Sequence, residues 1–282
     1  MKLTKVAIAA VLALTTSATF AADRKATDTT PAEDLKTYQD YFFKRFPGVP
    51  LQEYANGVYA IDKVSRDSWE AIEEFPPYEP MIEEGEAIWE KPFANGKNFG
   101  ACFDDDPAQR KNYPYWDDGR KSVVTLPMAI NECLSANGEK PMKYKKGAIT
   151  RLLAYMSYES RGQVTNVAIP NDAALAAYNS GKSTYFARRG QLNFSCASCH
   201  MQSAGQKVRS DVLSPALGHT TGWPVYRSKW GDLGTLHRRF GGCMSQMRAK
   251  PYGAQGEEFR NLEYFLTHMS NGIEINGPSS RK

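Results

Sequence analysis

Apolar positions recur along this chain mainly at helical spacing. Phe259, Leu262, Phe265, Leu266 and Met269 fall three and four residues apart, the stripe that one face of an α-helix presents, and Asn271-Gly272 supplies a stop. A second stripe runs from about Lys146 to Ser157, with Leu152, Leu153, Tyr155 and Met156 apolar. A further helix is predicted from about Asp172 to Arg188. The start of the chain follows a different pattern. Val6 to Leu14 is a continuous apolar run of nine residues behind Lys2 and Lys5, and Thr19 and Ala21 lie ahead of a cleavage near Ala22. Positive, then apolar, then small residues make an export signal, expected over residues 1–22. The run is too short to cross a bilayer, and no other segment approaches the roughly 20 apolar residues that a spanning helix needs. The mature protein is expected in the periplasm, without a membrane span.

An exported chain with five cysteines has an odd thiol to account for. Cys196 and Cys199 belong to Cys-Ala-Ser-Cys-His, the pattern of covalent haem attachment. Two thiols on one helical turn reach both vinyl groups of a porphyrin, and the adjoining His200 then points at the iron. A zinc or redox pair is the alternative, and no second cysteine pair stands nearby to complete a zinc site.

The predicted helices belong to a duplicated unit. Tyr113-Pro114 and Trp223-Pro224 lie 110 positions apart, and the same offset aligns Thr125-Leu126 with Thr235-Leu236, Cys133 with Cys243, and Lys140-Pro141 with Lys250-Pro251. Upstream, Gly85-Glu-Ala-Ile-Trp-Glu leads to Cys102 as Gly181-Lys-Ser-Thr-Tyr-Phe leads to Cys199. Setting Cys102 on Cys199 places Phe99 at Cys196 and Phe103 at His200, so the first copy has lost a thioether cysteine and the iron-binding histidine. A helix before the haem motif and another packed across it describe a small cytochrome c domain. The expected architecture is mainly α, two cytochrome c-like domains related by internal duplication, the first lacking haem. An N-terminal extension occupies 23–75, the haemless domain 76–165 and the haem-binding domain 166–282, with one covalently bound haem c in all. Cys102 and Cys133 would face each other with no porphyrin between them. A disulfide is favoured there over two buried free thiols, as export permits.

Cys243 is then the remaining cysteine, in Phe240-Gly-Gly-Cys-Met-Ser-Gln-Met247, where such a domain supplies its distal ligand. Thiolate binds haem iron, but so does methionine, and Met244 and Met247 stand beside it. Charge bears on the choice. The formal net charge of +4 falls by the two of Lys2 and Lys5 on loss of the signal, too little to argue for nucleic acid. Positive residues nonetheless crowd between Arg227 and Lys250 against Asp232 alone. Arg238, Arg239 and Arg248 flank Cys243, and their counterparts Met128, Ala129 and Gly138 are uncharged. Guanidinium groups favour thiolate and bind oxyanions through paired hydrogen bonds; a solvated basic face is the plainer reading. His219, His237 and His268 are read as surface or supporting residues rather than ligands.

Cys196-Ala-Ser-Cys199-His200, followed by Arg238-Arg239-Phe-Gly-Gly-Cys243-Met-Ser-Gln and Arg248-Ala-Lys-Pro251, resembles the SoxA family, subunits of the periplasmic SoxAX cytochromes of thiosulfate oxidation. The likeness covers nearly the whole mature chain. Phe99 and Phe103 set it apart from the two-haem members. The resemblance implies an L-cysteine S-thiosulfotransferase, which joins thiosulfate oxidatively to a cysteine of a SoxYZ-type carrier and passes electrons to a SoxX-type cytochrome. It implies that Cys243 is both iron ligand opposite His200 and catalytic cysteine, a persulfide in the family, and that Arg239 holds the sulfonate, with Arg238 and Arg248 as further candidates. A plain electron carrier with histidine and methionine ligands is the alternative.

Overall fold

A computed structural model describes residues 29–281, and the expected export signal over 1–22 lies outside the described residues. Helix α1 (Pro31–Arg45) carries Glu33 and Asp34 in its first turn and Lys44 and Arg45 in its last, charges that complement the helix dipole. After 3₁₀ turns over Leu51–Ala60, helix α2 (Lys63–Glu73) starts at Asp62, whose side chain accepts from the Ser65 amide. The first copy follows as α3 (Glu79–Glu90), 3₁₀ turns at Phe99–Cys102 and Arg110–Asn112, a hairpin of β1 (Tyr115–Asp117) and β2 (Ser122–Val124), α4 (Leu126–Ala136) and α5 (Ala148–Glu159). The second comprises α6 (Asp172–Phe186), a π-helical turn at Ser198–Gln202, a short ribbon of β3 (Lys207–Val208) and β4 (Asp211–Val212), and a hairpin of β5 (Val225–Arg227) and β6 (Asp232–Gly234). It closes with α7 (Leu236–Gln246), α8 (Glu257–His268) and β7 (Ser279–Arg281).

The offset of 110 carries β1, β2 and α4 onto β5, β6 and α7 residue for residue, and α5 onto α8 to within one. The same chemistry starts the paired helices. Thr125 caps α4 by accepting from the Met128 amide, and Thr235 caps α7 by accepting from that of Arg238. The structure begins the 146–157 helix two residues later, because Gly147 takes a left-handed φ of 82° ahead of Ala148. In each copy the first and last helices cross: α3 packs on α5, and α6 on α8.

Trp89, Phe93, Phe99 and Phe103 fill the core of the first copy, with ring centroids 5.9 Å apart for Trp89–Phe103 and 5.0 Å for Phe93–Phe99. Phe99 and Phe103 are the two residues aligned with Cys196 and His200. Beside them Cys102 and Cys133 are joined in a disulfide that ties the 3₁₀ turn to α4. The second core gathers Tyr178, Tyr185, Phe259 and Phe265, and it also takes in Tyr38 and Phe42 of α1. The N-terminal extension, to which the sequence pattern assigned no structure, thus completes the core around the haem motif.

From Pro31 onward the chain is one compact unit, and the two copies exchange matching contacts within it. Thr125 Oγ1 donates to Gln255 Oε1 at 2.6 Å, and Thr235 Oγ1 donates to the Tyr144 carbonyl at 2.9 Å. Each capping threonine therefore reaches the loop before the other copy's last helix, a reciprocity that only a near-twofold relation produces. Arg110, buried, adds Nη2 to the Thr220 carbonyl at 3.1 Å, and Arg151 pairs with Asp232 at 2.5 Å.

Candidate haem and thiol site

Ser195 and Ser198 build the turn that carries the haem motif. The Ser198 amide donates to Ser195 Oγ at 3.0 Å, and the Ser195 amide donates to Ser198 Oγ at 3.2 Å, a reciprocal box that begins the turn. The chain then winds as a π-helix over Ser198–Gln202, a rare form frequently found at functional sites. Cys196 and Cys199 are half-buried with free thiols. Burial, with Cys243 nearby, pushes the Cys196 thiol up to about 12 and raises Cys199 in the same way.

His200 Nδ1 lies 3.0 Å from the Ser214 carbonyl. A carbonyl only accepts, so Nδ1 carries the proton and Nε2 keeps its lone pair, the arrangement that orients a metal-binding imidazole. Burial, reinforced by the positive charge of Arg239, holds its pKa down at about 4, so the ring is neutral at ordinary pH. Behind it, His219 packs edge-on with ring centroids 4.5 Å apart, and Ser214 Oγ bridges the two, 3.0 Å from His219 Nε2. The other histidines are not at the surface either. His237 and His268 are 1% and 8% exposed: the Gln255 amide donates to His237 Nδ1 at 3.0 Å, and His268 Nδ1 donates to the Val167 carbonyl at 2.8 Å.

Opposite the motif stands α7. Arg239 and Cys243 are four residues apart on it and share one helix face. Arg239 is within electrostatic reach of Cys199, His200 and His219. Cys243 is within reach of Cys196 and Cys199, so the three free thiols converge on one place. Met244 and Met247, the thioether alternatives, are each 7% exposed and packed into the apolar core. The other two arginines have different partners. Arg238, on another face of the helix, lies 4.1 Å over the Trp230 ring and donates to the Leu233 carbonyl. Arg248 follows the end of α7 and donates to Gln191 Oε1 at 3.4 Å. Arg227 also comes to the site, within reach of Arg239 and Cys243; the basic stretch of the sequence includes it, but nothing there distinguishes it from its neighbours.

Two thiols on one turn, an imidazole with its free nitrogen beside them and a third thiol on the facing helix suit a haem c in their donor chemistry. Cys196 and Cys199 would carry the porphyrin, and His200 and Cys243 would face the iron. Across residues 84–164 and 180–275 the chain matches the family model SoxA/TsdA, cytochrome c domain. The L-cysteine S-thiosulfotransferase subunit SoxA of Allochromatium vinosum is 60% identical over 91% of this chain and 92% of its own length. That of Chlorobaculum thiosulfatiphilum is 55% identical over 88% and 87%. The crystal structure of SoxXA from P. pantotrophus matches with a TM-score of 0.70 at 28% identity, over 78% of this chain and 84% of that one. These relatives favour the transferase over a plain electron carrier, and a cytochrome c domain carries covalently bound haem c. The chain belongs to the SoxA family of L-cysteine S-thiosulfotransferase subunits.

Proposed function

We propose that this chain is a single-haem catalytic subunit that joins thiosulfate to a cysteine of a SoxYZ-type carrier protein in the periplasm, working with a SoxX-type cytochrome. Cys196 and Cys199 would hold the haem, and His200 and Cys243 would ligate its iron. The segment 166–282 is the haem domain, 76–165 its haemless duplicate and 23–75 an extension behind an export signal at 1–22. The observation that carries the reading is the shared face of α7, which sets Cys243 and Arg239 together opposite the haem motif.

The reaction forms one S–S bond, between the outer sulfur of thiosulfate and the carrier's cysteine sulfur. The carrier thiol gives up its proton to solvent, and two electrons leave. A haem held there would supply a one-electron redox centre through which those electrons could pass to the partner cytochrome. Arg239 binds and orients the sulfonate end, placing the outer sulfur at Cys243. Arg238 and Arg248, held by Trp230 and Gln191, add positive charge to the approach. Cys243 is the sulfur that meets the substrate, and a thiolate or sulfane sulfur is the partner such chemistry requires.

The intact mass of the mature chain tests this. The expected mass is that of the polypeptide from about Asp23 onward plus one haem, less two hydrogens for the disulfide, with any extra sulfur on Cys243 visible as a further increment. Turnover of thiosulfate with a carrier and partner cytochrome present completes the test; its absence in a fully haem-loaded complex would overturn the assignment.

A further inference from the structure

Arg227 ends β5, a strand paired on both sides: antiparallel to β6 and parallel to β7, where Arg227 stands opposite Arg281. The first copy has no third strand of this kind among the described residues, so β1 lacks the support that fixes β5. The Arg227 guanidinium lies 5.5 Å over the Trp230 ring, and the side chain is half-buried. Its electrostatic neighbours are Arg239 and Cys243 first, then Asp211 and Tyr59.

Two guanidinium groups thus share one partly desolvated place beside a thiol. Among the described residues no ion pair includes either Arg227 or Arg239, although arginines elsewhere in the chain pair with carboxylates. Burial and the neighbouring Arg239 push Arg227 down to about 10, which still leaves it charged at neutral pH. Like charges held together with no carboxylate paired to either are unfavourable until an anion arrives. The duplicate offers a comparison. There Asp117 takes the place of Arg227 and pairs with Arg120 at 3.4 Å, and Ala129 takes the place of Arg239. Both positive arms are present only in the copy that carries the free thiols.

We infer that Arg227 is the second arm of an anion clamp, closing with Arg239 on the sulfonate of thiosulfate beside the Cys243 sulfur. This rests on the substrate reading above and extends it: two planar forks offer more donors to three sulfonate oxygens than one does, and they fix the direction of the outer sulfur. Haem propionates are the rival anions for such a pair, and they mark the other outcome.

The test uses the haem-loaded complex with its partner cytochrome and carrier, comparing Arg227→Ala, Arg227→Lys and Arg239→Ala. For each, KM and kcat for thiosulfate, haem content and reduction potential are measured. Arg227→Ala is expected to raise KM by roughly tenfold or more, the loss of one charge-assisted partner, with haem content and potential unchanged and partial recovery in Arg227→Lys. Normal kinetics in Arg227→Ala alongside impaired Arg239→Ala would overturn the second arm and leave the substrate reading standing. Normal kinetics in both alanine variants would overturn both. A changed haem content or potential with KM unmoved would assign Arg227 to a propionate and overturn the clamp.

Discussion

A methyl group placed on Gly181 would stand 2.0 Å from the carbonyl oxygen of Asn261, so α6 and α8 touch backbone to backbone where they cross. The first copy repeats the contact: a Cβ on Gly85 would stand 2.1 Å from the Arg151 carbonyl oxygen. The aromatic residue one turn further on, Phe265 or Tyr155, closes the crossing in both, its Cβ 2.9 Å from the same point. Glycine lowers helix propensity by about 1 kcal/mol, and here the close crossing compensates for it. Gly181→Ala is expected to destabilise despite the better helix former, because the obstacle is backbone and overpacking costs about 1–3 kcal/mol or more. Thermal unfolding followed by circular dichroism and haem absorbance checks it. Gly181→Ala should lower the midpoint and loosen haem retention, whereas Gly85→Ala should lower the midpoint with the haem spectrum unchanged.

The disulfide closes a loop between residues 31 apart. Under the chain-entropy account such a loop contributes about 3.7 kcal/mol. Replacing Cys102 and Cys133 together with alanine should therefore lower stability and leave the haem spectrum as it was. In native, non-reduced protein a peptide map should recover the two linked; finding both fully alkylated would refute the link.

Phe103 sits where its duplicate has His200, and it is 5% exposed. With Phe99 it fills the volume of the first copy with rings, so a pyridine haemochrome assay is expected to return one haem per chain. Phe103→Ala should cost about 3–5 kcal/mol, as a buried aromatic does, and leave the haem count at one. A count of two in the unaltered protein would overturn the haemless reading and the alignment of Phe99 and Phe103 with it.

The duplication was legible because both copies keep their punctuation. Thr125 and Thr235, each followed by leucine, cap the equivalent helices α4 and α7, and Tyr113-Pro114 and Trp223-Pro224 precede the equivalent hairpins. The haem motif and the i, i+4 relation of Arg239 to Cys243 were legible for the same reason: their chemistry depends on local spacing. Long-range packing left no such mark. Tyr38 and Phe42 lie in the extension to which the sequence pattern assigned no structure, and nothing local says that they enter the core of α6 and α8. Strand β7 is three residues long and pairs with a strand more than 50 positions earlier. Its Ser-Ser-Arg sequence has no apolar alternation to announce it. His237 and His268, read as surface or supporting residues, are inside and each meets a backbone group, at Gln255 and Val167, and His237 Nε2 also faces Glu263 Oε2 at 3.0 Å; none of these distant partners is marked by local spacing. Arg227 was indistinguishable from Lys229 in a basic stretch, and only the hairpin turns it toward Cys243.

Arg239 and Cys243 share a face of α7 but have separate tasks, and their variants should differ accordingly. Arg239→Ala removes the group expected to meet the sulfonate while the residues that hold the haem stay in place. Haem content and the absorption and EPR spectra of the unaltered protein should be retained, and thiosulfate turnover should fall. A hydrogen bond to a charged group is worth about 1.5–3 kcal/mol, which corresponds to roughly ten- to a hundredfold in rate. Arg239→Lys should recover only part of this, because an ammonium supplies charge without the planar fork. Cys243→Ala should change the spectra and abolish turnover together, since the sulfur is expected to serve both iron and substrate. Cys243→Met separates the two tasks: a thioether can still bind iron but is neither a thiolate nor a carrier of sulfane sulfur. Its spectrum should become that of a histidine–methionine haem and its turnover should remain absent. Full turnover in Cys243→Met would show that the thiol serves only as a ligand, and normal turnover in Arg239→Ala would remove the sulfonate from this face of the helix.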